Sequence, residues 1–382
     1  MTGQLSTIAV SPTMEPAYSP GLTGSGPAAK ILGIATATPP NSYSQAELID
    51  IFGVTDERIR SVFLNSAIER RSLTLPERAP DGTMHQESQG ELLRKHRSTA
   101  IDMGSRAISA VLGRTGYDLD DVGYLTCVTT TGFLTPGLSA RIIAELGLSV
   151  HTSRLDVVGM GCNAGLNGLN AVAGWARAHP GRVAVMLCVE ACSAAYVFDG
   201  TMRTSVVNSL FGDGAAAVAI RAVPYDEPEV AEPGVTGPEV LKFASCLIPD
   251  AIDAMRYDWD DEAGKFSFYL DRDVPYVVGA HAELIVNRLL TGTGLRRSDI
   301  AHWIVHSGGK KVIDSVAVNL GLTRHDVRHT VTVLRDYGNL SSGSFLFSLR
   351  RLLDEGVVVP GDLGVLMTMG PGSTIETALV RY

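Results

Sequence analysis

The chain has 382 residues, 45% hydrophobic and 19% charged, enough to bury one large core or two medium ones. Its net charge of -9, from 41 acidic against 32 basic residues, argues against a general nucleic-acid surface, which needs lysine and arginine in excess. No apolar run reaches the roughly 18 to 20 residues of a membrane helix and no basic start leads into an apolar stretch, so a cytoplasmic protein is expected.

Residues 1–28 are rich in Pro, Gly, Ser and Thr without helical or strand periodicity and read as a tail, with the fold beginning near Ile31. Beyond it, short apolar runs alternate with Ala- and Leu-rich stretches of helical spacing, an α/β pattern. Thr115–Leu125 reads as a turn, a helix start and a buried strand. Val157–Asn167 (VVGMGCNAGLN) reads as a strand end, a tight turn holding Cys162 and a small-residue helix. Val183–Cys188 is a buried strand, and Gly212-Asp213-Gly214 closes the first half.

The second half repeats this order. Thr293–Trp303 matches Thr115–Leu125 at an offset of 178, and Gly338–Leu349 matches Gly161–Val172 at 177. Leu363–Met367 is a further strand, closed by Gly370-Pro371-Gly372. A duplicated unit is expected, with halves 29–222 and 223–382 about a pseudo-two-fold axis. The alignment puts Asn339 in the position that twins Cys162, and His306 at the end of the strand that corresponds to Val122–Val128.

The five cysteines, Cys127, Cys162, Cys188, Cys192 and Cys246, form no CxxC pair and are odd in number, so neither a zinc site nor a disulfide framework is indicated. No metal or cofactor is expected. A lone cysteine is commonly a small buried hydrophobe, a lone histidine at a strand end a core residue, and an asparagine before a helix a cap. Their convergence changes the reading. The N-terminus of the following helix and a nearby imidazole would both lower the pKa of Cys162 and make it a nucleophile. His306 and Asn339 would supply neutral donors to a developing oxyanion.

The set GCNAG around Cys162, LFGDGAAA from Leu210, FYLDRDVP ending at Pro275, VHSGG around His306, YGNLSSG around Asn339 and MGPGSTIE from Met369 resembles the type III polyketide synthases, the chalcone-synthase-like branch of the thiolase superfamily. The resemblance runs from about Ile31 to the C-terminus. It implies an α/β thiolase fold, duplicated, with five αβαβα layers, working as a homodimer in which the Thr129–Gly137 loop and its Thr135 reach across to the partner. It implies that Cys162 takes an acyl group from a CoA thioester, while His306 and Asn339 hold the malonyl-CoA carbonyl during decarboxylation. Phe211 and Phe268 fall on the two aromatic positions that gate the cavity, and Ser341, Gly308, Gly309, Gly370, Pro371 and Gly372 fall around the substrate.

Three departures from the plant pattern stand out. Ser307 follows the histidine where proline is usual. Cys192 and Ala195 replace cavity threonines, which reshapes the wall. Of the positions that grip CoA phosphates, here Arg58, Ser61 and Asn65, only one stays basic, and Arg60, Lys310 or Lys311 is expected to compensate. The stretches NSAIERR from Asn65, MLCVEACSAAYVFDGTMRT from Met186 and HSGGKK from His306 resemble a bacterial branch that uses malonyl-CoA as both starter and extender, four units in all, to build an aromatic thioester, with helper enzymes of the same pathway as possible partners. The alternatives are a tetrahydroxynaphthalene, resorcinol or pyrone product, a single-condensation ketoacyl synthase, a Cys-His-Asn hydrolase, or a binding protein with a silent site.

Overall fold

The structure is a computed structural model that describes residues 26–78, 84–196, 198–223 and 237–382. Residues 1–25 of the expected tail lie outside this set, and the first strand already begins at Ala28, ahead of Ile31. The strands are β1 (Ala28–Ala37), β2 (Ser42–Ser44), β3 (Arg70–Ser72), β4 (Val122–Thr129), β5 (Ser153–Val158), β6 (Val183–Glu190), β7 (Gly214–Val223), β8 (Glu239–Leu247), β9 (Met255–Asp260), β10 (Lys265–Leu270), β11 (His302–Val305), β12 (Leu363–Gly370) and β13 (Thr374–Arg381). The helices are α1 (Gln45–Ile51), α2 (Glu57–Leu64), α3 (Gln89–Thr115), α4 (Leu138–Leu146), α5 (Ala164–Ala178), α6 (Met202–Asn208), α7 (Val274–Leu290), α8 (Lys310–Leu320), α9 (Arg328–Tyr337) and α10 (Ser344–Glu355).

Nine strands form one mixed sheet in the order β11-β12-β13-β8-β1-β7-β6-β4-β5. Outward from the β1–β8 contact, one side runs β1-β7-β6-β4-β5 and the other β8-β13-β12-β11. Strand directions recur as well: β4 and β6 pair in parallel, as do β11 and β12, and the remaining matched pairs are antiparallel. In the second half the chain position of β5 is taken by the helix α9.

That substitution corrects the repeat. The short 3-10 turns Gly161–Asn163 and Ser341–Gly343 lead into α5 and α10, and both turns and helices are 180 residues apart (341 minus 161, 344 minus 164). Cys162 therefore matches Ser342, not Asn339 as the offset of 177 predicts. A helix rather than a strand enters the second turn, and three residues, Gly338–Leu340, fill the gap where the first half has two, Gly159 and Met160. The helix starts predicted near Leu119 and Arg297 are each a single 3-10 turn before a strand.

The strands alternate faces, so each divides the core. On β6, Val183, Val185, Leu187 and Val189 pack toward α3 and α4, while Ala184, Met186 and Cys188 pack toward α5. Because both faces are covered, this strand is buried throughout and reads as a continuous apolar run. Alanines at 215, 216, 217 and 219 of β7 keep its surface low and let α3 and α5 lie close on opposite sides. Helices α5 and α10 touch strands on both sides of the β1–β8 contact, whereas α7 covers the outer face of β8 and β13, with α8 packed against it, in a separate apolar cluster. No helix among the described residues is long and apolar enough to cross a membrane.

Candidate active site

The ends of these elements meet around a cavity of about 560 Å³. Cys162 sits on the 3-10 turn between β5 and α5, His306 directly follows β11, and Asn339 lies two residues beyond α9. All three line the cavity. The Cys162 turn can form because Gly161 adopts φ 81°, and a Cβ there would stand 2.1 Å from Pro371 Cδ, so only glycine lets the two turns touch.

Asn339 is held from both sides. Its N–H donates to the Leu210 carbonyl at 2.8 Å and its carbonyl accepts from Gly212 N at 3.0 Å, which clasps the backbone of Phe211. Its side-chain Oδ1 accepts from Ser341 N at 2.8 Å, and Nδ2 reaches the Gly308 carbonyl at 3.4 Å. His306 continues the parallel ladder through its N–H to Met367 O at 2.8 Å. Its Nδ1 is buried without a partner among the described residues, and burial drives the imidazole pKa down to about 3, so the ring is neutral near pH 7.

The thiol departs from the sequence expectation. Cys162 does precede a helix, yet burial pushes its pKa up to about 12, with the nearby Glu190 carboxylate adding to the rise; hydrogen bonds from Ser341 and Asn339 only partly oppose this. Cys162 is half-buried at the cavity wall, where desolvation is the largest influence on it, and no hydrogen bond joins it to His306 among the described residues. In the resting site the balance favours a protonated thiol and a neutral imidazole.

Cys162 Sγ donates to Ser341 Oγ at 3.5 Å. Phe211, Phe268, Gly308, Gly309 and Pro371 also line the cavity. Gly308 lies against the imidazole, where a Cβ would come within 3.0 Å of His306 Cδ2. Gly370 instead backs the Cys162 turn, a Cβ there falling 2.3 Å from Asn163 Oδ1, and Gly372 packs on Thr374; neither lines the cavity. Cys192 and Ala195 border two adjoining cavities of about 420 and 130 Å³ rather than this one.

The basic residues sort differently from expectation. Arg58 is tied to Asp56 at 3.2 Å and Arg60 to the Val54 carbonyl at 3.2 Å, and neither lines the cavity. Lys310 and Lys311 do, joined by Arg272, which the sequence reading missed, and by Ser61 and Asn65. Glu190 was missed too. Buried at the end of β6, its carboxylate accepts from Thr130 N at 2.9 Å and Ser342 Oγ at 2.5 Å, binding loops of both halves. A lone charge closing the otherwise apolar run VAVMLCVE is the signal that could have found it.

Residues 44–291 match the family described as FAE1/Type III polyketide synthase-like protein, and residues 241–382 match the chalcone and stilbene synthase C-terminal domain. The chain is 67% identical over 357 residues to a 3,5-dihydroxyphenylacetyl-CoA synthase of Streptomyces toyocaensis, covering 93% of this chain and 90% of that one. It is 62% identical to a 3,5-dihydroxyphenylacetyl-CoA synthase of Amycolatopsis balhimycina, over 98% and 99% of the two chains. Its fold superposes on the crystal structure of 1,3,6,8-tetrahydroxynaphthalene synthase from Streptomyces coelicolor with a TM-score of 0.81 at 27% identity, over 92% and 99%. The chain belongs to the type III polyketide synthases and is, with them, an acyltransferase that depends on malonyl-CoA.

Proposed function

We propose that this enzyme builds 3,5-dihydroxyphenylacetyl-CoA from malonyl-CoA alone, used as starter and extender, four units in all. The observation that carries this reading is the 67% identity to an enzyme of that name across nearly the whole chain, with Cys162, His306 and Asn339 on one cavity wall. Malonyl-CoA enters past Lys310, Lys311 and Arg272, whose charges suit its phosphates. Neutral His306 and the Asn339 amide donate to the thioester oxygen as carbon dioxide leaves and an enolate forms. As an acyl thioester arrives at Cys162, the thiol proton passes to His306 while sulfur attacks and CoA departs. The enolate carbon then attacks the Cys162 thioester, adding two carbons per cycle. Ring closure with loss of one water, and of the starter's carboxyl as carbon dioxide, gives the aromatic thioester. The chemistry calls for no metal or organic cofactor.

The strand order, repeated on either side of β1–β8, supports a duplicated thiolase fold of five αβαβα layers, with halves that part near residues 222–223. A homodimer is supported by the edge strand β5 and by Phe133, 72% exposed beside the exposed Thr135. A cytoplasmic location fits a CoA-dependent reaction. Incubating the purified protein with malonyl-CoA and analysing products by mass spectrometry tests the reading. A dihydroxyphenylacetyl thioester or acid is expected; a tetrahydroxynaphthalene, resorcinol or pyrone as sole product overturns it.

A further inference from the structure

Behind the reaction cavity lie two others, and one side chain borders all three. Tyr196 lines the cavity of about 560 Å³ that holds Cys162, the chamber of about 420 Å³ on one side and that of about 130 Å³ on the other. Its ring is packed into a wall with Phe211 at 4.4 Å, Phe268 at 5.4 Å and Tyr257 at 6.1 Å between centroids. The backbone below is fixed by a turn, Tyr196 N donating to Cys192 O at 2.9 Å. Phe211 and Phe268 each separate only one chamber from the reaction cavity.

We propose that Tyr196 is a specificity-determining residue, a partition that sets how many ketide units the chain acquires by closing the reaction cavity against the two chambers behind it. The inference rests on the polyketide synthase reading above. The small residues Cys192 and Ala195 border the chambers, so they widen the space behind the partition rather than the reaction cavity itself. If the ring is removed, these neighbours are too short to refill its place, and the cavity opens instead of collapsing. The larger chamber is also prepared for carbonyl oxygens. Arg71 lines it, is fully buried, and has its Nε without a partner among the described residues, while its other nitrogens bond Phe211 O and Gln45 Oε1. Each extra cycle would consume one malonyl-CoA, form one carbon–carbon bond at the acyl carbonyl, and release one carbon dioxide and one CoA.

The test compares wild type, Tyr196→Ala and Tyr196→Leu with malonyl-CoA as the substrate, reading product masses and the folded state by thermal melting. The ratio of products longer by whole ketide units to native-length product should rise about tenfold or more in Tyr196→Ala and by a smaller factor in Tyr196→Leu. Leucine keeps bulk in the wall and carries the test if the alanine variant does not fold. A wild type that makes no polyketide defeats the functional reading on which the inference rests. A wild type that does, with folded variants that leave the product ratio unchanged, overturns the partition.

Discussion

Cys162 Sγ stands 3.5 Å from Ser341 Oγ, a contact between residues that precede the central helices of opposite halves. The hydroxyl can turn to donate to a thiolate and so opposes the burial that pushes the thiol up to about 12. Ser341→Ala should therefore slow alkylation of Cys162. A net hydrogen bond of about 0.5–1.5 kcal/mol corresponds to a roughly 2- to 10-fold lower rate. Iodoacetamide labelling read by peptide mass spectrometry at pH 8.5 checks this, and an unchanged rate would show that Ser341 does not support the thiolate.

Acid should destabilise the protein through buried imidazoles. His306 and His96 have pKa values driven by burial from 6.5 to about 3 and about 4, so the unfolded chain binds their protons more readily. Their contribution is present above pH 6.5 and is lost as pH falls toward 3. Urea midpoints measured from pH 7 to pH 4 should decline, and His306→Gln should flatten that decline. An equally steep decline in the variant would remove His306 from the cause.

Gly161→Ala should cost stability as well as activity. The position needs φ 81°, and the new Cβ would meet Pro371 at 2.1 Å. A left-handed non-glycine residue costs roughly 1–3 kcal/mol before any clash is counted. Chemical denaturation gives the loss directly; a variant as stable as wild type would mean that the two turns are free to separate.

Asn339→Ala should uncouple binding from decarboxylation. Removing one donor to a developing oxyanion lowers the rate by about 10²–10³. Carbon dioxide release from malonyl-CoA should fall by that factor while KM changes little. A rate within about twofold of wild type would leave the enolate to His306 alone.

Much of this architecture is legible in the chain. The apolar runs of β6 and β12, the glycine turn before α5 and the order of the motifs locate the strand ends and the three polar side chains that meet at them. What escapes is whatever depends on how far apart loops settle. Nothing in YGNLSSG tells that a helix precedes it, so the twin of Cys162 comes out three residues early. Arg58 and Lys310 look alike as cations and each is paired, with Asp56 and Asp314; only the folded chain shows that Lys310 lines the cavity and Arg58 does not. The thiol's state escapes for a similar reason, since desolvation is a property of all the surrounding atoms and not of the motif.

Cys162 lies 144 residues from His306 and 177 from Asn339 (306 minus 162, 339 minus 162), and each comes from the end of a different element. Groups so distant along the chain meet only once the nine-stranded sheet has formed and packed around α5 and α10, since long loops must be closed first. Catalytic competence is therefore expected to return late in folding. During refolding, helical signal should return well before malonyl-CoA turnover, and destabilised packing around α5 and α10 should cost activity while most of the secondary structure is intact.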